Sequence, residues 1–276
     1  MHMDKDKVLV VAVAPLLLCM SGWVGLHPAS YLAGWWPAHD AILERLISQP
    51  GMATPSDVLS KYAPHTAVKL THILPSGVWS LCGALQLIPR LRTAAPRLHR
   101  VSGQVMSLCS CLIVVGYALM EVRGLVAAPL PAAAVQTGAD GVRGGADNDA
   151  NPHHPALRLL SAWFLLTAGA ALVQARRGNY RAHRRWALRH IASGAWVILQ
   201  RLFVLGIAAW ASAAGVAFSE ARRRELFFAA ASAAVVTSVA TAELYLWLAA
   251  ERSSPMAAAA TPPRHPSRGK TSTKTD

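Results

Sequence analysis

Residues 101–121 read VSGQVMSLCSCLIVVGYALME, an apolar run with no charge before Glu121. A helix rises 1.5 Å per residue, so about 20 such residues cross the hydrocarbon core of a bilayer. The stretch is too long for one strand and lacks the apolar–polar alternation of a half-buried one. It therefore reads as a membrane-spanning helix. Working outward, comparable segments occupy 67–89, 157–175, 189–213 and 227–250, and a first one covers 8–26. The sequence thus predicts an all-α fold, a polytopic transmembrane helical bundle of about six spans.

Composition agrees. Of 276 residues, 53% are hydrophobic and 15% charged, and the mean hydropathy is +0.32. Soluble domains carry about 25% charged residues. The net charge of +13 would suggest nucleic acid in a soluble protein. Here the basic residues sit in short loops between apolar blocks, where topology and anionic headgroups account for them. No nucleic-acid partner is expected; the lipid bilayer is. Cys19, Cys82, Cys109 and Cys111 all lie in apolar stretches and read as small buried hydrophobes. Cys109 and Cys111 point to different helix faces and cannot form a zinc knuckle, so no metal site is assigned.

Lys and Arg set the orientation. With the N-terminus cytosolic, the inner segments hold Lys5, Lys7, Arg90, Arg92, Arg97 and Arg100, then Arg176, Arg177, Arg181, Arg184 and Arg185, and the tail from Arg252 to Lys274. They outnumber the outer basic residues two to one, although Arg222, Arg223 and Arg224 count against the arrangement. Both termini are expected in the cytosol. Residues 1–26 hold the first helix, read as retained rather than as a cleaved signal. Residues 27–66 form an outer loop with Trp35 and Trp36 as interfacial anchors. Residues 67–250 form the membrane domain, interrupted by an insert at 125–156 rich in Ala, Gly, Pro and Asp. That insert and the basic tail 251–276 read as disordered.

Three spans carry a polar stripe at steps of three and four, which places each stripe on one face. One is His72, Ser76, Trp79, Gly83 and Gln86. The next is His99, Gly103, Ser107, Ser110, Tyr117 and Glu121, and the last is His183, Ala187, His190, Gly194 and Arg201. In a bilayer such faces turn inward. A charge at bilayer depth costs about 2.5–3.5 kcal/mol, so the ionisable members need partners. Depth along the helices suggests an outer layer of His72, Glu121 and Arg201. It also suggests an inner layer of His190 and Glu243, joined to a cytosolic collar of His99 and His183.

The collar repeats a pattern. Pro96-Arg97-Leu98-His99-Arg100-Val101-Ser102-Gly103 precedes one span and Tyr180-Arg181-Ala182-His183-Arg184-Arg185-Trp186 another. Together with Leu85-Gln86-Leu87-Ile88-Pro89-Arg90-Leu91-Arg92, His72, Arg201 and Glu243, these residues give a chain that resembles the membrane-protein family called domain of unknown function 2306. The resemblance covers roughly 66–250. It departs at Gly103-Gln104, where the family carries Gly-Arg, and at Ala187, where it carries methionine. It implies a multi-helix membrane domain and brings no established activity.

Three activities remain open, and no catalytic residue is assigned. A b-type haem would be held between His190 and His99, with Arg100 and Arg184 pairing its propionates. That requires a widened gap lined by Gly103, Ser107 and Gly194, and the two-layer histidine pattern of four-helix haem cytochromes is incomplete. A small proton-coupled transporter would use the intramembrane Arg, Glu and His, with Pro75 breaking the second span. A protein acting on lipid or quinone headgroups would use His99, Arg100, His183, Arg184 and His190 at the inner face.

Overall fold

The computed structural model describes residues 10–22, 37–57, 62, 64–126 and 153–251. Among them all regular structure is helical. Helix α1 is Val10–Gly22 and α2 is Pro37–Ser48. Helix α3 runs through three consecutive pieces, Thr66–Val68, a π-helical Lys69–Ile73 and Leu74–Leu87. It is followed by α4 (Pro89–Ala94), α5 (Pro96–Val122), α6 (His153–Arg176), α7 (Tyr180–Ala213) and α8 (Glu220–Glu251). Trp35, Trp36, most of the 125–156 insert and the tail beyond Glu251 lie outside the described residues.

Among the described residues four helices, α5 to α8, are long and apolar enough to cross a membrane. Many large hydrophobic side chains point outward along them, among them Leu108, Val115, Leu166, Val236 and Leu244. Such exposure suits a helix surface solvated by lipid rather than water. The chain is an all-helical membrane bundle. Of the two other expected spans, the first is described as a shorter apolar helix, α1. The second, α3, is continuous but changes pitch. Pro75 has no N–H to give the Thr71 carbonyl and crowds it. The turn before it widens, and Leu74 N donates to Lys69 O, five residues back.

Consecutive helices pack as neighbours: α3 on α5, α5 on α6, α6 on α7, and α7 on α8. Helix α1 lies against α3, with Leu17 facing Gly83, inside a core of Leu17, Trp79, Cys82, Met106, Cys109, Phe164 and Ile191. Cys82 and Cys109 are buried as expected. Cys19 and Cys111 are exposed, which corrects the expectation for those two. A thiol is apolar enough to face lipid without penalty.

The two ends of the bundle differ. At the end holding the α7–α8 turn, residues 49–57 are docked rather than loose. Phe218 N donates to Pro50 O (2.9 Å). The Arg223 guanidinium caps the Ile47 and Gln49 carbonyls at the end of α2 (2.7 and 3.0 Å). Arg224 pairs with Asp57 (3.0 Å) and Glu220 (3.4 Å), and Glu220 also accepts from Ser56 N. Met52 and Ala53 are buried with Val204 and Ala230 beneath this cap. Arg223 and Arg224 thus tie this turn to residues 47–57, while Arg222 pairs with Glu225 on its own helix (2.7 Å). The opposite end carries the two His/Arg motifs, which form the first turns of α5 and α7 and not loops ahead of them, and is called the collar end below.

Candidate functional site

His190 lies near the middle of the bundle and is 4% exposed. Three other helices reach its ring. Trp79 Nε1–H on α3 donates to Nε2 (3.0 Å). Thr167 Oγ1 on α6 lies 3.2 Å from Nδ1, and Ser110 Oγ on α5 lies 3.0 Å from Nε2. An indole nitrogen can only donate. Nε2 must therefore carry the lone pair, and the ring is neutral with its proton on Nδ1. That proton goes to Thr167, whose own hydroxyl donates to the Phe164 carbonyl (2.9 Å). Ser110 is 2.8 Å from the Met106 carbonyl, so its one proton has two acceptors within reach. Phe164 stacks on the imidazole at 4.5 Å between centroids, and Trp79 stands edge-on to it at 5.6 Å.

The stripes of α3, α5 and α7 do converge at this node, through Trp79, Ser110 and His190. Thr167 was not legible, because its segment shows no polar stripe. The ring of Trp79 fills the space beside Gly194, where any Cβ would overlap it.

A haem held by His190 and His99 does not fit these residues. The one lone pair of the His190 ring is taken by Trp79, and the rings of Trp79 and Phe164 pack against the imidazole. His99 Nδ1 is a buried atom without a hydrogen-bond partner, while the His99 carbonyl accepts from Gln86 Nε2 (2.6 Å). Gln86 also donates to Ser102 (2.7 Å), which ties the end of α3 to the start of α5.

The expected layers are partitioned differently. Glu121 takes Arg158 (2.7 Å) and the Tyr117 hydroxyl (3.1 Å), so it is not the partner of Arg201. His72 Nδ1–H donates to the Ile113 carbonyl (2.9 Å), across a contact in which the Gly116 backbone nearly touches that of His72. Arg201 was expected to be buried and is exposed on the bundle surface, its guanidinium 5.3 Å from the Phe227 ring centre. Its field also reaches Tyr62, whose phenol burial pushes up to about 12 despite that nearby cation. Glu243 forms a two-pronged ion pair with Arg189 (2.6 and 2.7 Å), one residue before the His190 expected beside it. Lys69 is 3% exposed, a burial its sequence context did not signal.

At the collar end His183 Nδ1–H donates to the Ala171 carbonyl (2.8 Å), and Arg100 reaches back to Pro96 O (3.3 Å). Arg184 donates to the Tyr245 hydroxyl (3.0 Å). Arg189 also lies over Trp186, 5.1 Å from the ring centre. Among the described residues no group of three or more His, Cys, Asp or Glu is arranged to hold a metal. Comparison with family models, with curated proteins and with solved structures finds no match.

Proposed function

We propose that this is a six-span membrane protein, with both termini and the collar on the cytosolic side, that binds anionic headgroups at the collar. One observation carries the reading. At the end with the α7–α8 turn, Arg158, Arg222, Arg223 and Arg224 are each held by a carboxylate or by helix-end carbonyls. At the collar end Arg90, Arg97, Arg176, Arg177, Arg181 and Arg185 make no ion pair among the described residues. Cations left unmatched at the membrane surface attract anionic lipid, by about 1 kcal/mol per residue. The proposal extends to membership of the family called domain of unknown function 2306, on the residues quoted above, which would bring the same architecture and no activity.

A conduit finds less support. His72, Glu121, His190 and Glu243 each have a partner within the bundle, so these groups brace helices instead of lining a path. The test is the lipid that accompanies the full chain through purification. Enrichment of anionic over zwitterionic phospholipid, relative to the source membrane, is the expected result. Recovery in the source proportions would reject headgroup binding.

A further inference from the structure

Among the described residues the collar end has a cleft with a distinctive lining. It opens between the start of α7 and the end of α8, with a volume of about 380 Å³. Arg181, Arg184 and Arg185 supply its cationic lining, and Leu188, Leu246, Ala249 and Ala250 its apolar lining. Arg181, Arg185 and Leu188 follow at steps of four and three, so one face of α7 supplies both guanidiniums and the first of the apolar lining. Tyr245 lines the cleft and receives the Arg184 hydrogen bond.

Three arginines in the first two turns are poorly placed for α7 itself. A helix start carries partial positive charge and favours anions. The first turn of α7 contains no acidic residue. Asn179 caps it, its side-chain oxygen accepting from Ala182 N (3.2 Å). An anion between Arg181 and Arg185 would answer both the side chains and the dipole. The apolar lining specifies what the anion is attached to, since a free phosphate has no use for leucine and alanine at the membrane edge.

We infer that this cleft binds one anionic phospholipid, its phosphate held by Arg181 and Arg185 and its first acyl carbons lying on Leu246, Ala249 and Ala250. The inference rests on the collar reading above and narrows it to one place. Guanidinium suits the phosphate because its planar fork donates two parallel hydrogen bonds.

The experiment is native mass spectrometry of the full chain in detergent, titrated with short-chain phosphatidylglycerol or phosphatidylcholine. The expected result is one tightly retained phosphatidylglycerol, with R181A/R185A weakening it at least about tenfold. R90A/R97A, in the first turns of α4 and α5, should leave it intact. Ala249→Trp, which fills the cleft and keeps every charge, should also weaken it. Equal losses in R181A/R185A and R90A/R97A would overturn the cleft and leave diffuse collar binding standing. Retention unchanged by Ala249→Trp would likewise remove the cleft. Displacement of the lipid by millimolar inorganic phosphate would reassign the site to a free anion. No preference for phosphatidylglycerol in the wild-type chain would overturn both the cleft and the collar reading.

Discussion

His190 shows how a buried histidine can be confined to one protonation state by its neighbours. Trp79 offers only a proton, so Nε2 must accept it, and Thr167 receives the proton on the other side of the ring. Four helices meet at this ring. Trp79→Phe keeps the aromatic volume and removes the donor, and should cost about 1–2 kcal/mol. In a His190→Ala background the same change should cost much less, because its acceptor is gone. A thermal-stability double-mutant cycle measures this, and a coupling of about 0.5–3 kcal/mol is expected. Strict additivity would mean that the 3.0 Å contact contributes nothing. The helical stripes announced that Trp79, Ser110 and His190 face inward. They could not say which polar groups pair, because a step of three or four fixes a face and leaves axial depth free to within a turn. Arg189 taking Glu243, and Arg158 taking Glu121, are both consequences of that freedom. An arginine side chain reaches across more than a turn, so depth counted from Cα positions misassigns its partner.

At the level of helices, close approach depends on a few missing side chains. The indole of Trp79 rests in the space beside Gly194, and the backbone of His72 in that beside Gly116. A Cβ at 116 would meet His72 N at 2.7 Å. Gly194→Ala should therefore force α3 and α7 apart or turn the indole out of its hydrogen bond. A loss of about 1–3 kcal/mol is expected, the usual cost of overpacking, together with a red-shifted or quenched Trp79 fluorescence. The control is Gly169→Ala on α6, where an added methyl meets nothing within 4 Å. It should be neutral or slightly stabilising, since alanine favours a helix. Equal effects of the two substitutions would contradict the packing described. The positions of α5 to α8 were legible because long apolar runs are a strong signal. The π turn in α3 was half legible, in that Pro75 marked a break without saying how the backbone would absorb it. The docking of residues 49–57 onto the α7–α8 turn was not legible. It rests on Gly51 packed against Ala211 and on arginines reaching carbonyls, neither of which leaves a periodic trace.

For the whole molecule, the decisive property is the asymmetry between its ends. At one end Arg158, Arg223 and Arg224 are taken up by ion pairs and helix-end carbonyls, and at the other Arg181 and Arg185 line a cleft without an ion pair among the described residues. A charge count treats both sets alike. The central claim is that the unmatched, collar end faces the cytosol and that the chain crosses the membrane six times. Topology reporters fused at the N-terminus, within the insert at Asp147 and after Asp276 test it directly. The account predicts a cytosolic signal from both termini and a signal from the opposite side at Asp147. A reporter at Asp147 on the same side as the one after Asp276 would contradict it.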